Sequence, residues 1–345
     1  MGTPLAVTLG EPSGIGPDIV LAAWLGRSAR TPAFAVFGDP AFLARRARLI
    51  GLDVPIRETA LAEATSAFAK ALPVVPTGPA VEGDPGRPSP ADAEAVIGSI
   101  EAAVAAVAAG EASAIVTPPI HKKSLAAAGF GFPGHTEFLG ALATRHFGGE
   151  YLPVMMLASD ELRVVPVTVH MPLRSVFGAL TVELIEQTGL IVARDLIVRF
   201  GIDRPRIAVA GINPHAGEEG LLGHEDEEVV APAVAALRET GIDATGPHSA
   251  DALFTELARP GYDAALAMYH DQALIPIKTL AFDRAVNVTL GLPFVRTSPD
   301  HGTAFVLAGT GRARPQSFVE ALALAARMTP AGTGAHDAAE AGHVR

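Results

Sequence analysis

Cysteine is absent from this chain of 345 residues, and its absence excludes several kinds of chemistry. Without thiols there is no disulfide, no thiolate nucleophile and no thiolate metal site, so His, Asp and Glu remain as the strong metal ligands. No segment approaches the ~18 to 20 apolar residues of a membrane span, and the start, MGTPLAVTLG, does not resemble a secretory signal. We therefore expect a cytoplasmic protein that does not enter a membrane.

Positive charge is also scarce. Lys and Arg number 26 against 37 Asp and Glu, which gives a formal net charge of −11, and no basic run is present. This balance argues against general affinity for nucleic acid, since such affinity requires many Lys and Arg contacts to phosphates. A local basic pocket for a small anion stays open. The length exceeds what a single core usually supports, so two domains are expected.

Short apolar runs alternate with amphipathic stretches along most of the chain. PLAVTLG predicts a strand, GEPSGIGP a glycine and proline loop, and PDIVLAAWLG a helix, with further strands at FAVFGD and LPVVP. This alternation favours an α/β fold with parallel strands. The glycine loop is neither the G-x-G-x-x-G fingerprint nor a P-loop, so a Rossmann site is not predicted. Residues 331–345 contain one large apolar residue and are predicted to be a disordered tail.

Three histidines end apolar runs that are typical of strands: His170 in LRVVPVTVH, His215 in RIAVAGINPH and His270 in AALAMYH. Ligands of open α/β sheets lie at the carboxyl ends of strands, so three imidazoles there would converge on one divalent metal ion. A single histidine in such a place is more often exposed or hydrogen-bonded, but three together favour a metal-dependent enzyme. Asp271, next to His270, is the nearest carboxylate for proton transfer.

A second polar set, Lys278, Asn287 and Arg296, is spaced at intervals of nine residues. An ammonium, an amide and a guanidinium that converge would bind a phosphate or carboxylate, but three solvated residues around a strand fit the spacing equally well. A metal-dependent phosphate-ester hydrolase would use the same histidines and anion site without a nicotinamide. A purely structural metal is less favoured, because structural zinc sites usually have four protein ligands.

Six segments in register resemble the 4-hydroxythreonine-4-phosphate dehydrogenase family: GEPSGIGPDIV, VTPPIHKKSL, PGHTEFL, GINPHAGEEG, AMYHDQALIPIK and VNVTLGLPFVRTSPDHGTAF. GIGPDIV and DHGTAFVLAGTG also resemble the opening motif and the adenosine-binding loop of the isocitrate and isopropylmalate dehydrogenase superfamily, which binds NAD(P) without a Rossmann fold. The resemblance implies two α/β/α domains with a cleft between them. The first would comprise residues 1–131 and 280–330, and the second, residues 132–279, would carry the metal ligands and the dimer interface.

The resemblance also implies roles for individual residues. One divalent metal ion per site, zinc first and magnesium or cobalt as alternatives, would be bound by His170, His215 and His270. The substrate would be held by His135, Thr136, Lys278, Asn287 and Arg296. NAD or NADP would be bound with the help of His301, Gly302, Thr303 and Ala304. The family is a homodimer whose active sites are completed by residues of both subunits.

The implied reaction is the NAD(P)-dependent oxidation of 4-phosphohydroxy-L-threonine to 2-amino-3-oxo-4-phosphooxybutanoate, which decarboxylates to 3-amino-2-oxopropyl phosphate in pyridoxal phosphate biosynthesis. Related members act on 4-phosphothreonate or 4-phosphoerythronate, and the shared motifs do not separate these substrates. The proton acceptor stays open between Asp271, a water on the metal and a lysine such as Lys122. Pro118 and Pro119 depart from the commoner pattern, in which glycine or alanine precedes the second proline.

Overall fold

The computed structural model describes residues 2–329, so the predicted disordered tail at 331–345 lies outside the described residues. The chain divides into two compact units. The first unit runs up to Pro153 and resumes at Leu292, and the second unit is Val154–Gly291.

These unit boundaries differ from the expected borders at residues 131 and 280. The helix His135–Phe147 belongs to the first unit because its apolar face lies in the same buried cluster as the helix Ala93–Ala108. The strand Val286–Leu290 belongs to the second unit because it pairs antiparallel with Val154–Ala158. Packing and strand pairing, which the motifs do not show, therefore set the borders.

The first unit is a parallel sheet covered by helices. Its strands, numbered along the whole chain, are β1 Leu5–Thr8, β2 Phe34–Gly38, β3 Ile56–Glu58, β4 Leu72–Pro76, β5 Ile115–Val116 and β12 Arg296–Pro299. Its helices are α1 Gly16–Leu25, α2 Pro40–Leu49, α3 Leu61–Ala67, α4 Ala93–Ala108, α5 Lys122–Ala127, α6 His135–Phe147 and α12 Gln316–Arg327. The strand order is β3-β4-β2-β1-β5-β12, with every described pair parallel. This order differs from the 3-2-1-4-5-6 order of the Rossmann fold.

Helices cover both faces of this sheet. Every residue of β1 and β2 is buried. On one face Ala35 and Phe37 of β2 join the apolar cluster of α4 and α6, and on the other the ring of Phe34 meets Phe318 of α12 edge-on at 6.1 Å. Successive strand side chains point to opposite faces, so this unit is an α/β/α sandwich. The predicted α/β class is confirmed.

The second unit is a mixed sheet. Its strands are β6 Val154–Ala158, β7 Arg163–Pro166, β8 Arg206–Ala210, β9 Asp243–His248, β10 Ala264–Ala267 and β11 Val286–Leu290. Its helices are α7 Leu173–Ala179, α8 Val182–Val198, α9 Ala231–Glu239, α10 Ala250–Leu253 and α11 His270–Ala281. The strand order is β11-β6-β7-β10-β8-β9, in which β6 is antiparallel to both neighbours and the remaining pairs are parallel.

The adjacent parallel strands β7, β10 and β8 end at one edge of the second sheet. Each is followed within a few residues by one predicted metal ligand, namely His170, His270 and His215 in that order across the sheet. The strands thus place the three histidines at one sheet edge, where ligands of α/β proteins bind.

Within residues 2–329 no single helix is long and apolar enough to cross a membrane. The pair α7 and α8 meets the length and composition test only when the two are joined, and the two are bent by 90°.

Candidate active site

Two buried side chains tie together the three histidine-bearing segments of the second unit. Thr168 donates from Oγ1 to the carbonyl oxygen of Met268 at 2.7 Å. Gln272 accepts the N–H of Met268 at 2.6 Å and donates from Nε2 to the carbonyl oxygen of Gly211 at 2.7 Å. These bonds connect the ends of β7, β10 and β8, so the segments after the three strands are braced against one another.

The rings of His170 and His270 lie together at this edge. Their centroids are 5.4 Å apart. Two imidazoles on one tetrahedral ion would place their centroids roughly 5 Å apart, given metal–nitrogen bonds of about 2 Å, so this pair fits two positions of a metal shell. Nδ1 of His270 is 2.7 Å from the carboxylate of Asp271, which leaves Nε2 for a metal. A pocket of about 430 Å³ is lined by both rings, Asp271 and apolar side chains.

His215 does not complete this set. Among residues 2–329 no group of three or more His, Asp or Glu side chains is placed to hold a metal ion. The three histidines of this chain therefore do not form such a group by themselves within residues 2–329, and their common metal site stays a prediction. His215 lies near Asp251. The pKa of Asp251 is lowered, mainly by a hydrogen bond from Ser249 and to a smaller extent by His215.

The His215 loop has an unusual backbone conformation. His215, Ala216, Glu218 and Glu219 all have left-handed backbone angles, with φ of 53°, 52°, 45° and 56°. Left-handed non-glycine residues cost ~1 kcal/mol or more each and persist only where the surroundings hold them. A strand-end motif does not reveal such a path, so it predicts the sheet edge but not the direction of the ring.

Asp226 holds the start of this loop. Its carboxylate is 1% exposed and accepts the backbone N–H groups of Ile212 at 2.8 Å and Asn213 at 3.0 Å. Gly211 is required here, since a Cβ at this position would lie 2.7 Å from an Asp226 carboxylate oxygen. The loop is therefore preorganised by a buried carboxylate that the motifs did not single out.

A cluster of hydrogen-bond donors lies in the first unit. The buried Arg296, at the start of β12, donates from Nε and Nη2 to Thr117 Oγ1 at 3.0 and 2.7 Å. Burial lowers the pKa of Arg296 to about 10, so the guanidinium stays charged at neutral pH. Beside it, His135 begins α6 and is 8% exposed.

The imidazole of His135 is set up to meet a ligand. Burial, and then the positive charges of Arg296 and Lys122, hold the pKa of His135 well below its ordinary value of 6.5, so the ring is neutral. Its Nε2 is buried and has no hydrogen-bond partner in residues 2–329. A guanidinium, a neutral imidazole and the N-terminus of a 13-residue helix together favour an anion.

The other predicted substrate residues lie on separate elements. Thr136 follows His135 in the first turn of α6. Lys278 is in the last turn of α11, with Nζ 6.0 Å from the ring centroid of Phe282, and Asn287 is in β11 of the second unit. Within one unit, the structure thus brings together His135 and Arg296.

The predicted cofactor loop packs on the glycine-rich loop of the first unit. Ile15 donates its N–H to the carbonyl oxygen of Thr303 at 2.9 Å. A Cβ on Gly14 would lie 2.9 Å from that same oxygen, so the close approach requires glycine. The loop contains His301, Gly302, Thr303 and Ala304, and its role in cofactor binding stays a prediction.

Arg46 of α2 holds these two loops together, and this residue was not predicted from the sequence. It pairs with the buried carboxylate of Asp18 at 2.7 Å and donates to the carbonyl oxygens of Pro12 and Gly14 at 2.6 and 3.1 Å. Asp18 also accepts the N–H of Gly309 at 2.7 Å. In the helix sequence PAFLARRARL an arginine normally indicates an exposed face, so no local signal marks this residue.

Comparison with known proteins decides the family. The family model described as pyridoxal phosphate biosynthetic protein PdxA matches residues 30–325. The chain belongs to the PdxA family. A 4-hydroxythreonine-4-phosphate dehydrogenase of Bradyrhizobium diazoefficiens is 57% identical over 96% of this chain and 98% of its own length. One of Xanthobacter autotrophicus is 56% identical over 99% of this chain and 97% of its own length.

Solved structures agree with the PdxA assignment. A crystal structure of 4-hydroxythreonine-4-phosphate dehydrogenase from Klebsiella pneumoniae has 37% identity and a TM-score of 0.82, covering 95% of this chain and 99% of its own. A terephthalate 1,2-cis-dihydrodiol dehydrogenase from Burkholderia xenovorans has 30% identity and a TM-score of 0.63, covering 94% and 98%. The predicted family and its oxidoreductase class are confirmed, and a dehydrogenase implies a nicotinamide cofactor. Because a dehydrogenase named for another substrate shares this fold, fold alone does not define the substrate.

Proposed function

We propose that this chain is a cytoplasmic homodimer that oxidises 4-phosphohydroxy-L-threonine to 2-amino-3-oxo-4-phosphooxybutanoate with NAD or NADP and a divalent metal ion. The product is a β-keto acid, which loses CO₂ to give 3-amino-2-oxopropyl phosphate. The observation that carries the proposal is the buried Arg296 beside His135, whose Nε2 has no hydrogen-bond partner among residues 2–329. The chain is also 57% identical to a 4-hydroxythreonine-4-phosphate dehydrogenase.

The phosphate of the substrate is bound by the donor cluster of the first unit. Arg296 supplies a fixed positive charge, because its pKa of about 10 lies far above neutral pH. His135 supplies a neutral ring nitrogen, and Thr136 lies in the same helical turn. Lys278 and Asn287 are proposed as further substrate ligands, on the family resemblance.

His170, His215 and His270 are proposed to hold the metal ion, with zinc first because imidazoles suit it and magnesium or cobalt as alternatives. A divalent ion supplies Lewis-acid polarisation of the hydroxyl that is oxidised. Two of the rings already lie at a suitable separation. We propose that the shell is completed only when two copies associate, as the resemblance implies. Asp271 orients His270 through Nδ1 and stays the proposed proton acceptor.

Exposed apolar side chains beside the histidine pair support association. Met171, Leu173 and Phe177 follow His170 and are 38%, 61% and 48% exposed. Contiguous exposed apolar side chains of this size usually mark a surface that a partner covers. A second copy seated there would exclude water from the two rings.

Nicotinamide reduction by metal-stripped protein tests the proposed reaction. NAD or NADP would be supplied with and without Zn²⁺, Mg²⁺ or Co²⁺, on 4-phosphohydroxythreonine beside 4-phosphothreonate and 4-phosphoerythronate. We expect metal-restored reduction on the first substrate. Preference for either sugar acid would keep the chemistry and change the substrate. Phosphate release without nicotinamide reduction would instead support a hydrolase and overturn the proposal.

A further inference from the structure

We propose that Lys122 binds the substrate phosphate together with Arg296 and His135. The inference rests on the function proposed above and adds a residue that the family resemblance did not assign to the substrate. The family resemblance leaves Lys122 only as one of three alternatives for the proton acceptor.

The ammonium of Lys122 lies beside the start of α6. Lys122 begins α5, and its Nζ lies against Gly134, the residue that precedes α6. A Cβ on Gly134 would be 2.9 Å from Lys122 Nζ and 2.8 Å from a carboxylate oxygen of Glu137. The ammonium therefore lies at the N-terminus of α6, where glycine leaves room for it, next to His135.

The charges around this position favour an anion. A helix N-terminus carries partial positive charge, and the ammonium of Lys122 adds to it, while the carboxylate of Glu137 near Gly134 offsets part of it. Lys122 and Arg296 both act on the same buried ring, since both lower the pKa of His135 after the effect of burial. Within residues 2–329, Lys122 forms no ion pair, not even with the nearby Glu137. Two cations and a helix N-terminus thus converge on one imidazole.

The chain segment that carries Lys122 has contacts on both sides of it. Thr117, which directly follows β5, accepts both hydrogen bonds from Arg296. His121 meets the ring of Phe305 edge-on at 5.0 Å, just beyond the predicted cofactor loop. Lys122 is therefore carried by a short segment anchored at one end to the anion donors and at the other to that loop. This arrangement suits a residue that binds the charged group of the substrate.

Binding of inorganic phosphate, measured by isothermal titration calorimetry on the full chain, is the direct test. Lys122→Met should weaken phosphate binding about tenfold or more, because a hydrogen bond to a charged group is lost. Lys123→Met is the matched control, since it removes the same charge from the next residue, which is exposed as Lys122 is, and it should change the constant less than twofold. Lys122→Arg should keep binding within about threefold of wild type, because it keeps the charge. Arg296→Met should abolish phosphate binding and is the reference for loss of the whole site.

Steady-state kinetics separates phosphate binding from proton transfer. For Lys122→Met we expect KM for the phosphorylated substrate to rise about tenfold while kcat stays within about threefold. A large fall in kcat with unchanged phosphate binding would assign Lys122 to proton transfer and overturn the inference. Phosphate binding lost in Arg296→Met but kept in Lys122→Met would overturn it while leaving the proposed function intact. No phosphate binding by the wild type would overturn the anion site and this inference together.

Discussion

Gln272 is the buried side chain whose replacement should weaken the second unit most directly. Its amide accepts the N–H of Met268 at 2.6 Å and donates to the carbonyl oxygen of Gly211 at 2.7 Å. Gln272→Leu keeps a side chain of similar volume and removes both hydrogen bonds. The two backbone groups then remain buried without these partners.

The expected magnitude follows from those two groups. Leaving one buried donor or acceptor unsatisfied costs ~1–3 kcal/mol, so the substitution should lower the free energy of unfolding by ~2–6 kcal/mol. That is a large part of the ~5–15 kcal/mol that stabilises a typical folded domain. The segments that follow β10 and β8 should also be held together less tightly, because Gln272 hydrogen-bonds to both of them.

A second variant, Gln272→Glu, predicts the direction of a pH effect. The carboxylate keeps an acceptor for Met268 but faces the carbonyl oxygen of Gly211, so the protonated form is favoured in the folded state and the pKa rises above its unfolded value near ~4.3. A raised folded pKa gives stability that is complete below the unfolded pKa and is lost as pH rises through the folded pKa. The variant should therefore fall further behind wild type at pH 8 than at pH 5.

Urea unfolding followed by far-ultraviolet circular dichroism measures these differences. Gln187→Leu is the matched control, since Gln187 is an exposed glutamine in α8 of the same unit, and its loss should stay within ~0.5 kcal/mol. If Gln272→Leu unfolds within about 1 kcal/mol of this control, the bracing argument is refuted.

Three further predictions concern charge and metal binding. Burial raises the pKa of Glu11 from 4.5 to about 7, so wild-type stability falls as pH rises through that range. The free energy of unfolding of Glu11→Gln in urea, relative to that of wild type, should therefore rise by up to roughly 2 kcal/mol between pH 5 and pH 8. A difference that does not change with pH would contradict this. Arg46→Met leaves Asp18 buried without its cation and should cost ~3–5 kcal/mol in thermal unfolding, whereas a loss below ~1 kcal/mol would refute the fastening role. His215→Ala should weaken Zn²⁺ binding tenfold or more by calorimetry with metal-free unfolding unchanged, and unaltered affinity would remove His215 from the shell.

Much of the second unit could be predicted from the pattern of apolar runs. Apolar runs before His170, His215 and His270 are strands, and all three lie next to one another in the parallel part of the sheet. What the pattern could not supply was the path after β8. His215 and Ala216 are consecutive left-handed residues, and the segment just before them is held by Asp226. Asp226 comes later in the chain and accepts the N–H groups of Ile212 and Asn213 at 2.8 and 3.0 Å. Such a tertiary cause leaves no trace in the local sequence.

In the first unit, too, a key contact joins residues that are far apart in the sequence. The nine-residue spacing grouped Arg296 with Lys278, yet Arg296 is in the first unit and Lys278 in the second. The partner of Arg296 is Thr117, 179 residues earlier, because β12 pairs in parallel with β5. Spacing along the chain therefore indicates residue types that suit phosphate, whereas strand pairing decides which of them meet. Lys122 follows β5 by a few residues, so the same pairing that brings Thr117 to Arg296 fixes the strand from which the segment of Lys122 reaches Gly134 at the start of α6.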